Sequence, residues 1–222
     1  MRARSIAFSP LRSGQIPATA TLLADALDRD PAYRFLLPSE TSRRAGLREL
    51  FARNLETHLP HRCSYVLTDA EDVVATVTVR PPGGVPTSAL TMIRRGLIPF
   101  AVRHDYSAVQ RLLALKRTYD ALEHDLGRGA PHLHVHMMAV KSGLQGQGLG
   151  SLLLDQALGA ARPEPSAPEV PIVLTTHTAH NVRFYEKRGF AVVSEQDVRP
   201  GGGEAYPVWG MSRSLDRVAT PT

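Results

Sequence analysis

Cysteine is almost missing. The chain has 222 residues and one cysteine, Cys63. That excludes an internal disulfide framework and a zinc site built on cysteine pairs. Long apolar runs are missing too: no stretch approaches the roughly 18 residues of a membrane span, so no membrane partner is expected. Lysine is scarce, supplying only Lys116, Lys141 and Lys187 of the 26 cationic residues. The arginines are scattered, and no block of five or six like charges occurs. The formal charge of +5 therefore has no clustered basic face behind it, and nucleic acid is not an expected partner. No acidic residue precedes Asp25, which leaves a transit peptide open on composition, whereas the apolar run Ile6–Phe8 is too short for a secretory signal. A cytoplasmic protein is the plainer expectation. The 43% hydrophobic content supports a packed core, and the length fits one domain.

The pattern along the chain is mixed α and β. Ser5–Ser9 reads as a strand and Ile16–Asp28 as a helix, with Ile16, Leu22, Leu23, Ala26 and Leu27 at helical spacing. Asp30-Pro31 opens a short element. Leu47, Leu50, Phe51, Leu55 and Leu59 mark a long amphipathic helix closed by Pro60. Cys63–Thr68 and Val73–Val79 form a β-branched hairpin. Residues 80–131 are an insertion, helical from about 88 to 125 in two pieces divided near Pro99. His132–Val140 is a strand, Leu149–Ala161 a helix, Ile172–Thr176 a strand and Asn181–Arg188 a short helix. Phe190–Asp197 and Ala205–Arg213 close the chain as a hairpin. The expectation is one domain over 1–215 and a loose tail over 216–222.

Between strand and helix lies Gly143-Leu144-Gln145-Gly146-Gln147-Gly148-Leu149-Gly150. Such a junction aims backbone N–H groups and the positive helix end at one point, which suits a phosphate. A Walker loop needs a lysine that is missing here, and a dinucleotide fingerprint needs a different glycine spacing and a later acidic residue.

The run Gln145-x-x-Gly148-x-Gly150 resembles the acetyl-CoA pyrophosphate loop of the GCN5-related N-acetyltransferases. About thirty-five residues on, Phe184-Tyr185-Glu186-Lys187-Arg188-Gly189-Phe190 resembles that family's second signature. The resemblance is specific from about His132 to Phe190. The Asp30-Pro31 start, the 88–125 helical segment and the Trp209 strand are similar to the branch containing puromycin N-acetyltransferase. The resemblance implies an α/β fold with a mixed central sheet whose two middle strands splay apart around acetyl-CoA. It implies that Met138, Ala139 and Val140 pair with the pantetheine arm, and that the Met138 amide polarises the thioester carbonyl. Gln145, Gly146, Gln147, Gly148, Leu149, Gly150 and Ser151 would hold the pyrophosphate, with Asn181 beside the cofactor. Tyr185 is implied as the acid that protonates the leaving thiolate, since a phenol stays protonated at neutral pH.

The base comes from a histidine row. His132, His134 and His136 alternate along one strand and project from one face. The family often carries a glutamate six residues before Val140, where this chain has His134. The run His134-Val135-His136-Met137-Met138 is similar to serotonin N-acetyltransferase, which implies a proton relay through His134 and His136. Structural histidines and a metal pair remain alternatives for the same residues, although no metal is expected. His177 and His180 read as surface or capping residues, and Cys63 as a core thiol, so transfer should be direct with no acyl-enzyme. Tyr33, Tyr119 and Trp209 are candidate acceptor-wall aromatics, and Glu123 and Asp125, at the end of the preceding helical segment, are within reach of the acceptor side with nothing that marks them specifically. The expected acceptor is a small primary amine: an arylalkylamine, an aminated antibiotic or a related metabolite. A peptide amine and a non-catalytic CoA sensor are the competing readings. Monomer and homodimer both remain open.

Overall fold

The computed structural model describes residues 5–84, 106–162 and 170–214. Seven strands form one sheet in the order β1-β2-β3-β4-β5-β7-β6. They are β1 (Ile6–Pro10), β2 (Ser64–Asp69), β3 (Asp72–Arg80), β4 (Leu133–Val140), β5 (Ile172–Thr176), β6 (Ala191–Val198) and β7 (Tyr206–Arg213). The helices among the described residues are α1 (Ile16–Leu27), α2 (Pro31–Leu36), α3 (Glu40–His58), α4 (Tyr106–Leu126), α5 (Leu149–Ala160) and α6 (Ala179–Glu186). Neighbouring strands are antiparallel except β4 and β5, which run parallel.

Helices cover both faces of the sheet, which explains why β3 is apolar and β-branched without alternation: Val73 to Val79 are all buried. On one face α1, α3 and α4 close over Val66, Met137, Ala139 and Val208. On the other, α5 presents Leu149, Leu153, Leu154, Ala157 and Leu158 to Leu67, Val77, Val79 and Val135. Their spacing is that of one helical stripe.

Two irregularities of β4 shape the centre of the molecule. Thr78 lies opposite Met137 while the next residue, Val79, lies opposite Val135, so His136 is an extra residue in the ladder. Such a bulge reverses the facing of everything beyond it. Val135 accordingly belongs to the core under α5, whereas Met137 and Ala139 belong to the core under α1 and α3. The second irregularity is the β4–β5 ladder, which holds only the pairs Leu133–Ile172 and His134–Val173. Beyond His134 the two strands diverge, as the resemblance implied.

The elements lie close to their expected ranges, with two informative shifts. α3 starts at Glu40, well before its apolar stripe at Leu47, because Arg43 is buried and acts as a cap. Its guanidinium donates to the carbonyls of Leu37 (2.7 Å), Pro38 (2.9 Å) and Asp28 (3.2 Å), the groups left over where α2 and α1 end. α6 starts two residues early because the Thr178 hydroxyl accepts the Asn181 N–H and caps it. The α4 helix occupies the last part of the expected insertion; the division near Pro99 and the tail over 216–222 lie outside the described residues. No described helix is long and apolar enough to cross a membrane.

Arg43→Met removes the donor shared by three carbonyls, one of them on buried Leu37 and two partly buried. It should lower the unfolding free energy by about 3 kcal/mol, read as a shifted denaturant midpoint with an unchanged slope.

Candidate active site

The glycine loop joins β4 to α5. Gly146 and Gly148 both have positive φ (76° and 81°), and Gly148 is the residue from which α5 starts. A side chain at either would be strained, so the loop conformation requires glycine there. Gly150 differs: a Cβ there would meet Met138 Cε at 3.4 Å and the Phe184 ring at 3.5 Å, ordinary van der Waals contact, so the position is closely packed without demanding glycine. The loop is otherwise exposed, and its side chains brace its own backbone: Gln145 Nε2 donates to the Val140 carbonyl at 3.2 Å and Gln147 Nε2 to the Gly143 carbonyl at 3.5 Å. The Ser151 hydroxyl accepts from the Arg188 guanidinium, which ties the start of α5 to the end of α6. No acidic residue stands in the first turn of α5. The arrangement is thus free of negative charge where N–H groups point outward, as anion binding demands.

Met138 connects this loop to a cavity. The Tyr185 hydroxyl reaches Met138 Sδ at 3.9 Å, and both residues line a cavity of about 440 Å³ in the gap between β4 and β5. Burial pushes the Tyr185 phenol up to about 12, so it holds its proton at neutral pH. Its ring is fixed by edge contacts to Phe184 and Phe190, at 5.0 and 5.6 Å between centroids. Asn181 lies at the cavity edge. Leu36, Leu50, Phe51, Leu112 and Leu115 supply apolar wall.

The histidine cluster forms another wall. His134 and His136 rings lie 5.6 Å apart, and His58 of α3 stacks on His136 at 5.7 Å. His58 Nδ1 donates to the Asn54 carbonyl at 2.7 Å. His134 Nδ1 is 2.9 Å from Glu123 Oε2, a close contact that is poorly aligned for a hydrogen bond. Glu123 is held in turn by Arg80, whose Nη2 donates to both carboxylate oxygens at 2.7 and 2.9 Å. His132 lies outside this wall, with Nε2 3.3 Å from Glu123 Oε1.

Charges follow from these contacts. Burial pushes the Glu123 carboxyl upward, but His134, Arg80 and His132 together outweigh it and hold it at about 2. Burial lowers His134; Glu123 opposes this, while Arg80 and His132 reinforce it. His136 falls well below the ordinary histidine value through burial, then Arg80, His134 and His58. His58 is lowered by burial too, partly offset by the Asn54 carbonyl. The cluster therefore presents neutral imidazoles, with lone pairs available, beside a fixed carboxylate, the protonation state in which a general base starts.

Seven of the expected site residues meet at the cavity, and the glycine-loop residues Gln145 to Ser151 lie outside its lining. His134, His136, Met138, Asn181 and Tyr185 line it, as do Tyr33 and Tyr119. Trp209 does not line it; it sits half-buried on β7 opposite Thr176 and Glu195. Ala139 and Val140 continue β4 along the diverging gap. Cys63 is buried away from the cavity lining, and burial pushes its thiol up. Among the described residues, no group of three or more metal-ligating side chains is arranged around a common point. Three residues of the site were not anticipated, His58, Arg80 and His177, and Glu123, expected only within reach of the acceptor side, faces His134 instead. His58 shares the helical stripe of Phe51 and Leu55, and Glu123 lies one turn beyond Tyr119, so spacing alone marks both as inward-facing. His177 is the correction. It is half-buried and bonded to Asp30 and Tyr119, not a surface or capping residue.

Three histidines with lowered pKa make stability depend on pH in a defined sense. The unfolded chain takes up protons near 6.5 that the folded cluster refuses. Their contribution is complete above that value and is lost as pH falls. Glu123 adds a second loss between its ordinary 4.5 and about 2. Denaturant midpoints should therefore drop between pH 8 and pH 5.5, before ordinary carboxylates titrate, and His136→Gln should reduce that drop. Equal midpoints at the two pH values would contradict buried neutral imidazoles.

Comparison with known proteins agrees with this geometry. Residues 124–203, from the end of α4 to the turn after β6, match the family model of the acetyltransferase (GNAT) domain. No curated protein matches the chain in sequence. Solved structures match over nearly the full length. A structure described as histone acetyltransferase HPA2 and related acetyltransferase, from Corynebacterium glutamicum, is 19% identical with a TM-score of 0.61, covering 98% of this chain and 99% of that one. Polyamine N-acetyltransferase of Drosophila melanogaster is 14% identical with a TM-score of 0.58, covering 95% and 100%. The PaiA N-acetyltransferase of Thermoplasma acidophilum, solved with coenzyme A, is 11% identical with a TM-score of 0.55, covering 95% and 99%. Over residues 124–203, then, the chain carries a match to the GNAT acetyltransferase domain, and throughout its described length it has the fold of solved acetyltransferases.

Proposed function

We propose that this protein is an acetyl-CoA-dependent N-acetyltransferase that acts on a small primary amine. The observation that carries the reading is the convergence at one cavity of neutral histidines, a protonated tyrosine and Met138, at the point where β4 leaves β5 beside a glycine loop fit for phosphate. The relative solved with coenzyme A supports the choice of co-substrate, and the polyamine acetyltransferase supports an amine acceptor.

In this reading the loop amides from Gln145 to Ser151 hold the pyrophosphate and the free edge of β4 from Met138 to Val140 holds the pantetheine arm. The amine nitrogen attacks the thioester carbonyl, the carbon–sulfur bond breaks, and the thiolate takes the Tyr185 proton. The proton lost by the amine goes to the His134–His136 pair. Glu123 acts as a positioning residue that orients His134 and favours its protonated state. The Met138 amide polarises the carbonyl, a contact of a kind that contributes about 3–4 kcal/mol. The lining favours a compact amine with an apolar body. Its acidic groups are each engaged: Asp30 by His177, Asp120 by Lys116 and Glu123 by Arg80. None of these is left over for the second ammonium of a polyamine. An arylalkylamine, or an aminated antibiotic of the puromycin type, fits that description.

The test is calorimetric binding of acetyl-CoA, followed by thiol release with a panel of amines that includes puromycin, arylalkylamines and a polyamine. Binding with amine-dependent release is expected; a folded protein that does not bind acetyl-CoA overturns the reading. Tyr185→Phe should keep the acetyl-CoA affinity and lose turnover about 10²-fold or more. His134→Ala and His136→Ala should each displace the acidic limb of the pH–rate profile, and parental profiles in both would remove the histidines from the mechanism.

A further inference from the structure

Four elements contribute to a second line of polar side chains, which closes another part of the cavity. Asp30 precedes α2, His177 follows β5, Tyr119 lies on α4 and Tyr206 on β7. Asp30 Oδ2 lies 2.7 Å from His177 Nδ1, and Tyr119 Oη lies 2.5 Å from His177 Nε2. Tyr206 Oη follows, 3.3 Å from Tyr119 Oη. Asp30, His177 and Tyr119 line the cavity and Tyr206 stands behind them. The proton transfers assigned to His134, His136 and Tyr185 use none of these groups.

The direction of the chain can be worked out. The Asp30 carboxylate accepts, from the Ala32 N–H at 3.0 Å on one oxygen and from His177 on the other. His177 therefore carries its proton on Nδ1, and in the neutral ring Nε2 holds a lone pair. The Tyr119 hydroxyl donates to that lone pair. Burial, then Tyr206, holds its phenol far above the usual range, so the donation persists. With its one proton given to His177, the Tyr119 oxygen accepts from the Tyr206 hydroxyl at 3.3 Å and keeps a single lone pair for the cavity. The carboxylate behind the imidazole makes that oxygen a better acceptor, since aligned hydrogen bonds polarise one another.

The surroundings define what this acceptor is for. Tyr119 packs against the apolar cluster that holds Leu36 and takes in Leu27 and Tyr33, so an unmatched polar oxygen there is costly and a matched one is selective. Along α4, Tyr119 is one turn from Glu123, the carboxylate that lies 2.9 Å from His134 Nδ1. A molecule that offers its amine to His134 and His136 thus meets Tyr119 with another part of its body. One lone-pair acceptor in an apolar wall matches one donor. A second ammonium would need a carboxylate of its own, and Asp30 already serves two donors.

Resting on the amine-acetylation reading, we propose that Tyr119, backed by His177 and Asp30, is a specificity subsite for a hydroxyl group carried by the acceptor amine at a distance from the reacting nitrogen. The probes are two matched amine pairs, each differing by one hydroxyl: 2-phenylethylamine with its 4-hydroxy form, and hexylamine with 6-aminohexanol. In the parent protein the hydroxylated member of at least one pair should have kcat/KM about tenfold or more above its partner. Tyr119→Phe should bring that ratio down towards one, and His177→Gln should lower it as well. A ratio compares two substrates in one preparation, so it does not depend on how much of a variant is folded. Ratios near one for both pairs in the parent overturn the subsite, as does a ratio that survives Tyr119→Phe. The underlying reading fails differently: the folded protein does not bind acetyl-CoA, or binds it and releases thiol with no amine of either panel.

Discussion

The early parting of β4 and β5 is the constraint on which the rest depends. Two parallel strands that share only two rungs leave backbone groups and side chains facing a gap where a sheet would normally be continuous. Backbone left unpaired inside a protein is costly unless something else meets it. In this fold the gap is the natural seat of a ligand that brings its own hydrogen-bonding groups. The bulge at His136 belongs to the same device. It turns Met137 and Ala139 into the helical core and leaves Met138 between the glycine loop and Tyr185.

Holding such a gap open requires polar groups in partly buried places, and several of them are paired. Arg80 and Glu123 satisfy one another while Glu123 faces His134. Breaking a buried pair strands the remaining charge at a cost of about 3–5 kcal/mol, so this pair stabilises the site chiefly by being complete. The same contacts anchor α4. Glu123 binds it to β3, Tyr119 to the end of β5, and Arg111 to the Leu36 carbonyl of α2 at 2.9 Å. The helix that walls the cavity is thus tied to the sheet largely through groups that also define the cavity chemistry. Structural and functional effects of substitutions there will be coupled, which is why ratios and pH profiles discriminate better than activity alone.

Local spacing made part of the site legible. The loop glycines, the Tyr185 segment and the histidine alternation are each confined to a few neighbouring residues, and all but His132, which precedes β4 and lies outside the wall, fall on the element expected for them. The unanticipated residues are those whose meaning depends on a partner far along the chain. His177 lies 147 residues from Asp30 and 58 from Tyr119, and nothing in its own neighbourhood distinguishes it from a capping residue. Arg80 and Glu123 are 43 residues apart. Trp209 shows the opposite failure: an aromatic on a nearby strand suggested a wall, but strand pairing turned it elsewhere.

By itself, then, the sequence determined the order and kind of the elements, because hydrophobic periodicity, glycine and proline act over one or two turns of chain. It also determined which residues have suitable chemistry, since that is a property of the side chain. Tertiary structure alone decided which of those groups share a space and in what charge state. Long-range pairing, the bulge that reverses β4 and the desolvation of His58, His134 and His136 arise only when distant segments pack together.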